Sequence, residues 1–214
     1  MASAEPQNAP GQRLILASAS PRRREILQAA GFAFDVVETA VPEKQRDGES
    51  PEQFVCRMAT EKAEAALSKI KLPCTAPILG ADTVVVLGNQ TLGKPASAEE
   101  ARRMLRLLSG QQHRVLTGLC LLFPPPAWPC ARAELREEVQ VASTTVQFSK
   151  LTVEEIEEYV ASGEPFDKAG AYGIQGLASK YIEGIQGCYF NVVGLPISLV
   201  YQMLKKASCF SSDV

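Results

Sequence analysis

Short apolar runs alternate with amphipathic stretches along this chain, the mark of strands and helices intermixed. Leu-Ile-Leu-Ala at 14–17 predicts a buried strand within residues 13–19. Ser20 and Pro21 then offer an N-cap and a first helical residue, and Gly31 closes that helix. Phe34-Asp-Val-Val37 predicts a second strand. A long helix is predicted from Ser50 and Pro51, with Gln53 completing a capping box and Phe54, Met58, Ala65 and Ile70 forming its apolar stripe. Residues 77–87 are the clearest strand, and Gly88-Asn89 marks a turn after them. Ser97 with Glu100 predicts a boxed helix start and Gly110 its end, while Thr152 with Glu155 opens a helix that stops at Gly163. Strands are predicted at about 112–123 and 134–149. The proline-rich linker between them reads as a surface insertion joining antiparallel strands. A last helix starts near Leu195-Pro196 and reaches about residue 206. Residues 1–12 read as a disordered tail and 208–214 as a frayed end, on either side of one domain at 13–207. Intermixed elements with at least one hairpin predict an α/β fold with a mixed β-sheet and flanking helices.

With 214 residues, 46% of them hydrophobic and 21% charged, the chain can bury a substantial core. A formal net charge of −2 and the lack of a polybasic tail argue against general affinity for nucleic acid or anionic membranes. No run approaches a membrane span. Six cysteines without a Cys-x-x-Cys pair fit free, mostly buried thiols in a reducing cytoplasm. The single histidine, His113, rules out polyhistidine zinc sites and reads as structural. A metal here would be a hard cation held by carboxylates and phosphate oxygens.

Three clusters carry candidate chemistry. Ser18-Ala-Ser-Pro-Arg-Arg-Arg24 sets cations in the first turn of a helix, where the macrodipole is already positive. An anion seated there would compensate; otherwise the arginines extend into solvent. Asp82 interrupts an apolar strand, and an unpartnered buried carboxylate costs several kcal/mol. A metal, a lysine or a reacting water would explain it, as would simple outward exposure. Lys62 lies at the edge of its helix's apolar stripe, where it either snorkels or serves a ligand. Lys94, in Gly-Lys-Pro, follows the Asp82 strand closely enough to return beside it. Glu43 reads on its own as a solvated loop acid. Asp167-Lys-Ala-Gly-Ala-Tyr-Gly-Ile-Gln-Gly176 combines glycines, which let backbone approach a ligand, with Gln175, whose amide both donates and accepts. Those glycines neither follow a strand nor open a helix, so no dinucleotide-binding fingerprint is read there.

Six segments in order resemble the Maf family of nucleotide pyrophosphatases. They are Ala17-Ser-Ala-Ser-Pro-Arg-Arg23, Gly80-Ala-Asp-Thr-Val84, Gly93-Lys-Pro95, Leu108-Ser-Gly110, the 167–176 segment and Asn191-Val-Val-Gly-Leu-Pro196. The resemblance implies two α/β lobes around a deep cleft, as in inosine triphosphate pyrophosphatases, and often a homodimer. It implies hydrolysis of a nucleoside triphosphate to monophosphate and pyrophosphate with a divalent cation, Mg²⁺ or Mn²⁺. By motif position Asp82 is the proton acceptor and a metal ligand, with Glu43 as a second acid near the metal. Ser18, Arg22, Arg23, Lys62, Thr83, Lys94 and Gln175 match substrate positions, and Arg22, Thr83 and Gln175 those tied to substrate choice. Ala-Tyr-Gly-Ile-Gln-Gly resembles the branch acting on dTTP and UTP, since a base with O4 and N3–H suits an amide. Two alternatives stay open: a nucleotide-sensing or partner-binding regulator of growth with little turnover, and a pyrophosphatase for purine or 7-methyl-GTP nucleotides. The insertion at 124–129 departs from the family pattern.

Overall fold

The computed structural model describes residues 13–70, 74, 76–124 and 135–209. Both tails, apart from the first two residues of the C-terminal one, and the core of the proline-rich insertion lie outside them. Seven strands form one sheet in the order β2-β1-β3-β5-β6-β7, with β4 paired to β3. The strands are β1 (Leu14–Ala17), β2 (Phe34–Val36), β3 (Ile78–Leu87), β4 (Gln90–Leu92), β5 (Gln112–Phe123), β6 (Arg136–Phe148) and β7 (Ile182–Gln186). β1 runs parallel to β2 and to β3, whereas β4 and β7 join antiparallel. The predicted mixed sheet is therefore present. Among the described residues six α-helices accompany it: α1 (Pro21–Ala29), α2 (Pro51–Leu67), α3 (Ala98–Leu108), α4 (Val153–Ala161), α5 (Tyr189–Val193) and α6 (Ile197–Cys209).

The chain divides into two compact units. The first comprises 1–82, 118–141 and 197–214; the second comprises 83–117 and 142–196. In the first, α2 covers the sheet through Ala59, Ala63, Ala66 and Leu67, which pack with Ile15, Ile78, Cys120 and Leu122. In the second, α3 and α4 bury Met104, Leu105, Ile156 and Tyr159 against Val115, Val146 and Phe148. His113 is buried there, its Nε2 2.7 Å from the Tyr172 hydroxyl, and burial lowers its pKa to about 4. It is structural, as expected.

Local signals hold in most places. Ser50 with Gln53 and Thr152 with Glu155 form complete capping boxes. At α3, Ser97 caps Glu100 N–H, but the Glu100 carboxylate accepts from Ala96 N–H at 2.8 Å instead of closing the box. The buried face of α2 uses Ala63 and Ala66 rather than Ala65, and Ile70 falls beyond the helix end. The four cysteines whose side chains are described, Cys56, Cys74, Cys120 and Cys188, are free, and Cys120 alone among them is buried. The short elements β4, β7 and α5 were not foreseen.

Candidate active site

The first unit gathers charge around Asp82. This begins with two residues that lack side chains. A Cβ on Gly80 would fall on the carbonyl of Ala59, and one on Gly118 on that of Val55. Both absences let α2 lie directly on the backbone of β3 and β5. Gly80 and Asp82 share a strand face, because side chains alternate along a strand. Lys62, one turn beyond Ala59, is thereby carried to the acid: its Nζ lies 2.6 Å from Asp82 Oδ1. The same Nζ is 2.7 Å from Glu43 Oε1, so one ammonium links two carboxylates.

Glu43 sits on a loop, and another cation of α2 positions that loop. Arg57 donates to Glu49 at 2.6 and 2.7 Å, to Glu61 at 2.9 Å, and to the carbonyl of Lys44 at 3.0 Å. The Arg57 bond holds the Glu49 carboxyl at about 2, below its ordinary range. Neither Arg57 nor Glu49 was singled out from sequence. The i,i+4 pairing of Arg57 with Glu61 was the available signal, and it is common on solvated helices.

From the other side, β1 ends at Ala17, and the chain passes through Ser18 into α1. Ser20 occupies the N-cap without a side-chain cap bond, and no acid lies in the first turn. Arg23 folds inward rather than into solvent, donating to Ser18 Oγ at 3.2 Å and to the Ala81 carbonyl at 2.8 Å. Arg24 turns outward to Glu38 and the Ala19 carbonyl. Arg22 is half-buried beside them. Asp82 is only 5% exposed and Lys62 7%. Burial pushes the Asp82 carboxyl above its ordinary pKa, opposed by the Lys62 ammonium and the Arg23 guanidinium. Burial likewise lowers Arg23, with Asp82 opposing. The outward-exposed reading of Asp82 is excluded, and so is snorkelling by Lys62.

In the second unit, Thr83 Oγ1 is 2.9 Å from Thr117 Oγ1 and 3.4 Å from the Gly194 carbonyl. Lys94 is exposed two residues beyond β4. Its neighbour Gly93 accepts from Gly170 N–H at 2.9 Å, joining the Gly-Lys-Pro motif to the 167–176 segment. Gln175 is exposed in a turn closed by Gly176 N–H to the Gly173 carbonyl at 3.2 Å. The glycines of this segment make room for protein groups. A Cβ on Gly170 would strike Val85, one on Gly173 the Lys168 stem, and one on Gly176 the Glu164 carboxylate.

Among the described residues no three histidine, cysteine or acidic side chains converge as a metal cage. Asp82 and Glu43 nonetheless share a cation already, in the ammonium of Lys62. Two carboxylates are the donor type that a hard divalent cation takes. No helix of the described residues is long and apolar enough to cross a membrane.

An α/β protein with a buried acid flanked by a lysine and an inward arginine has the equipment for a polyanionic ligand. A Maf-like protein model matches residues 13–207, and the chain belongs to that family. It is 46% identical over 197 residues to a dTTP/UTP pyrophosphatase of Koribacter versatilis, covering 92% of this chain and 95% of that protein. A dTTP/UTP pyrophosphatase of a Geobacillus species is 44% identical over 195 residues, covering 91% and 98%. Among solved structures, the Staphylococcus aureus Ham1 protein aligns with a TM-score of 0.47 at 12% identity, covering 92% of this chain and all of that one.

Proposed function

We propose that this protein hydrolyses nucleoside triphosphates between the α and β phosphates, releasing monophosphate and pyrophosphate, with dTTP and UTP preferred. The observation that carries the reading is Lys62 seated between Asp82 and Glu43 with Arg23 beside them. Asp82, Lys62 and Arg23 are held there at small exposure, with the exposed carboxylate of Glu43 at the rim, ready to receive a triphosphate and its cation. Such preset charge costs no reorganisation when charge develops in the reaction.

Asp82 and Glu43 would hold Mg²⁺ or Mn²⁺. When bound, the cation supplies Lewis-acid polarisation of the phosphate oxygens. Asp82 takes the proton of the attacking water. Lys62 engages Oδ1, and Oδ2 is the oxygen assigned to that proton. Burial raises the carboxyl's affinity for it. Arg22, Arg23, Lys62 and Lys94 offset phosphate charge, with Ser18 orienting Arg23. Gln175 reads O4 and N3–H of the base, and Thr83 contributes to the same choice. The relatives' printed activity and the Ala-Tyr-Gly-Ile-Gln-Gly segment support the pyrimidine preference.

We further assign the protein to the cytoplasm as a homodimer, on the free described thiols and the family resemblance. Cell fractionation and sedimentation velocity check these two points. The deciding experiment measures pyrophosphate release from a panel of dTTP, UTP, CTP, ATP, GTP and 7-methyl-GTP with Mg²⁺ and with Mn²⁺. Fastest turnover of dTTP and UTP is expected. No release from any nucleotide would favour a binding role, and preference for a purine would overturn the assignment to pyrimidines.

A further inference from the structure

The exposed Gln175 sits on a turn that a small polar ring holds at both ends. Tyr159, on α4, donates its hydroxyl to Glu164 Oε1 at 2.9 Å, and the same hydroxyl oxygen accepts from Gly173 N–H at 3.3 Å. Glu164 Oε2 accepts from Leu177 N–H at 2.9 Å. The turn's own bond, Gly176 N–H to the Gly173 carbonyl, completes the circuit. The two backbone groups tied down, at 173 and 177, lie two residues on either side of Gln175.

Packing reinforces the ring. Gly176 lies against the Glu164 carboxylate and Gly173 against the Lys168 stem, so any side chain at either would displace the brace. Lys168 is itself fixed by the Glu164 carbonyl at 2.7 Å and by Asp167 at 2.6 Å. Tyr159 is buried. Burial, and then the bond to Glu164, push its pKa up, so the hydroxyl stays a donor through the physiological range. Bonds to an ionised acceptor are the stronger kind, and they are directional. An exposed amide has no packing to hold it in place. Its ability to discriminate depends on the backbone that carries it being fixed before the ligand arrives.

We propose that Glu164, through Tyr159 and Leu177 N–H, is a specificity-positioning residue that holds the Gln175 turn in the conformation that selects the base. This rests on the assignment of base reading to Gln175. Neither Glu164 nor Tyr159 touches substrate; both act through the turn.

The test compares kcat/KM for dTTP and for CTP in Glu164→Ala, Tyr159→Phe, Gln175→Ala and the double variant Glu164→Ala/Gln175→Ala, with Glu164→Gln as the conservative change. Glu164→Ala is expected to lower the dTTP:CTP ratio about tenfold, mainly through KM for dTTP, leaving kcat close to its starting value. Tyr159→Phe moves the ratio the same way by a smaller factor and, as a near-isosteric change, keeps the test available if the alanine variant fails to fold. Glu164→Gln, which retains an acceptor for Leu177 N–H, recovers part of the ratio. In the Gln175→Ala background, loss of Glu164 lowers the ratio no further. A uniform fall for both nucleotides in the Glu164 and Tyr159 variants, or an added loss in the double variant, overturns the positioning role while leaving Gln175's role intact. An unchanged ratio in Gln175→Ala alone overturns the base-reading assignment and the brace with it.

Discussion

The corner around Asp82 and the turn around Gln175 solve different physical problems with different materials. At Asp82 the acid and Lys62 are buried as an ion pair beneath a helix packed on bare strand backbone, and the same ammonium reaches the exposed Glu43. At Gln175 the operative side chain is exposed, and rigidity comes from hydrogen bonds behind it. A buried charge must be compensated before the ligand arrives, or the fold bears the full desolvation cost. An exposed amide is already satisfied by water, so only its position has to be arranged. On the proposed function, chemistry is written into the core of the first unit and selection onto the surface of the second.

Variants can break this contrast. Asp82→Asn is expected to reduce turnover of dTTP by roughly 10³-fold or more, with circular dichroism unchanged. Activity within tenfold of the parent would remove Asp82 from the mechanism. Gly80→Ala attacks the same corner from beneath: the added methyl meets the Ala59 carbonyl, and a stability loss of about 3 kcal/mol is expected from denaturant titration. Turnover should fall in parallel, since Lys62 is displaced from Asp82; full activity in a folded variant would show that α2 need not lie so close. Gln175→Glu should shift the dTTP:CTP ratio about tenfold without moving Tm, because the side chain is exposed.

The smallest effects lie in the response to acid, and they separate the two units. His113 in the second unit has its pKa lowered by burial from 6.5 to about 4. The unfolded chain takes up that proton first, so the neutral imidazole's contribution is complete above 6.5 and is lost as pH falls toward 4. Glu49 in the first unit is held at about 2 against an ordinary 4.5. Its contribution is complete above 4.5 and disappears as pH falls toward 2. Hydrogen exchange followed by peptide from pH 7 to 3 should loosen segments around His113 before those around Glu49. Glu49→Gln should flatten the lower window and leave the upper one unchanged.

Much of this architecture is legible locally. Caps at Ser50 and Thr152 and the apolar runs of β1 and β3 depend on neighbours a few residues away, and they fold as read. Asp82 was visible because a charge inside an apolar strand is locally improbable. Glu43 was reached only through the family resemblance, since its reach to Lys62 depends on a loop pinned by Arg57 of α2 through Lys44 and Glu49. The glycines at 170, 173 and 176 were noticed, but the protein groups they accommodate were not. What fills the space beside a glycine is a tertiary fact, and here it is Val85, Lys168 and Glu164. The α2 stripe shows the same limit: Ala65 and Ala66 look alike in sequence, and the core takes only the second.

The bare backbone contact beneath α2 also constrains how this protein can change. Most of a helix–sheet boundary can drift, because one side chain shrinks while its neighbour grows. Where Gly80 meets Ala59 and Gly118 meets Val55 there is nothing to trade. Inheritance can retouch the exposed Gln175 turn, proposed to choose the base, by single steps, while the backbone contact that carries Lys62 to Asp82 is left with almost no viable neighbours in sequence space.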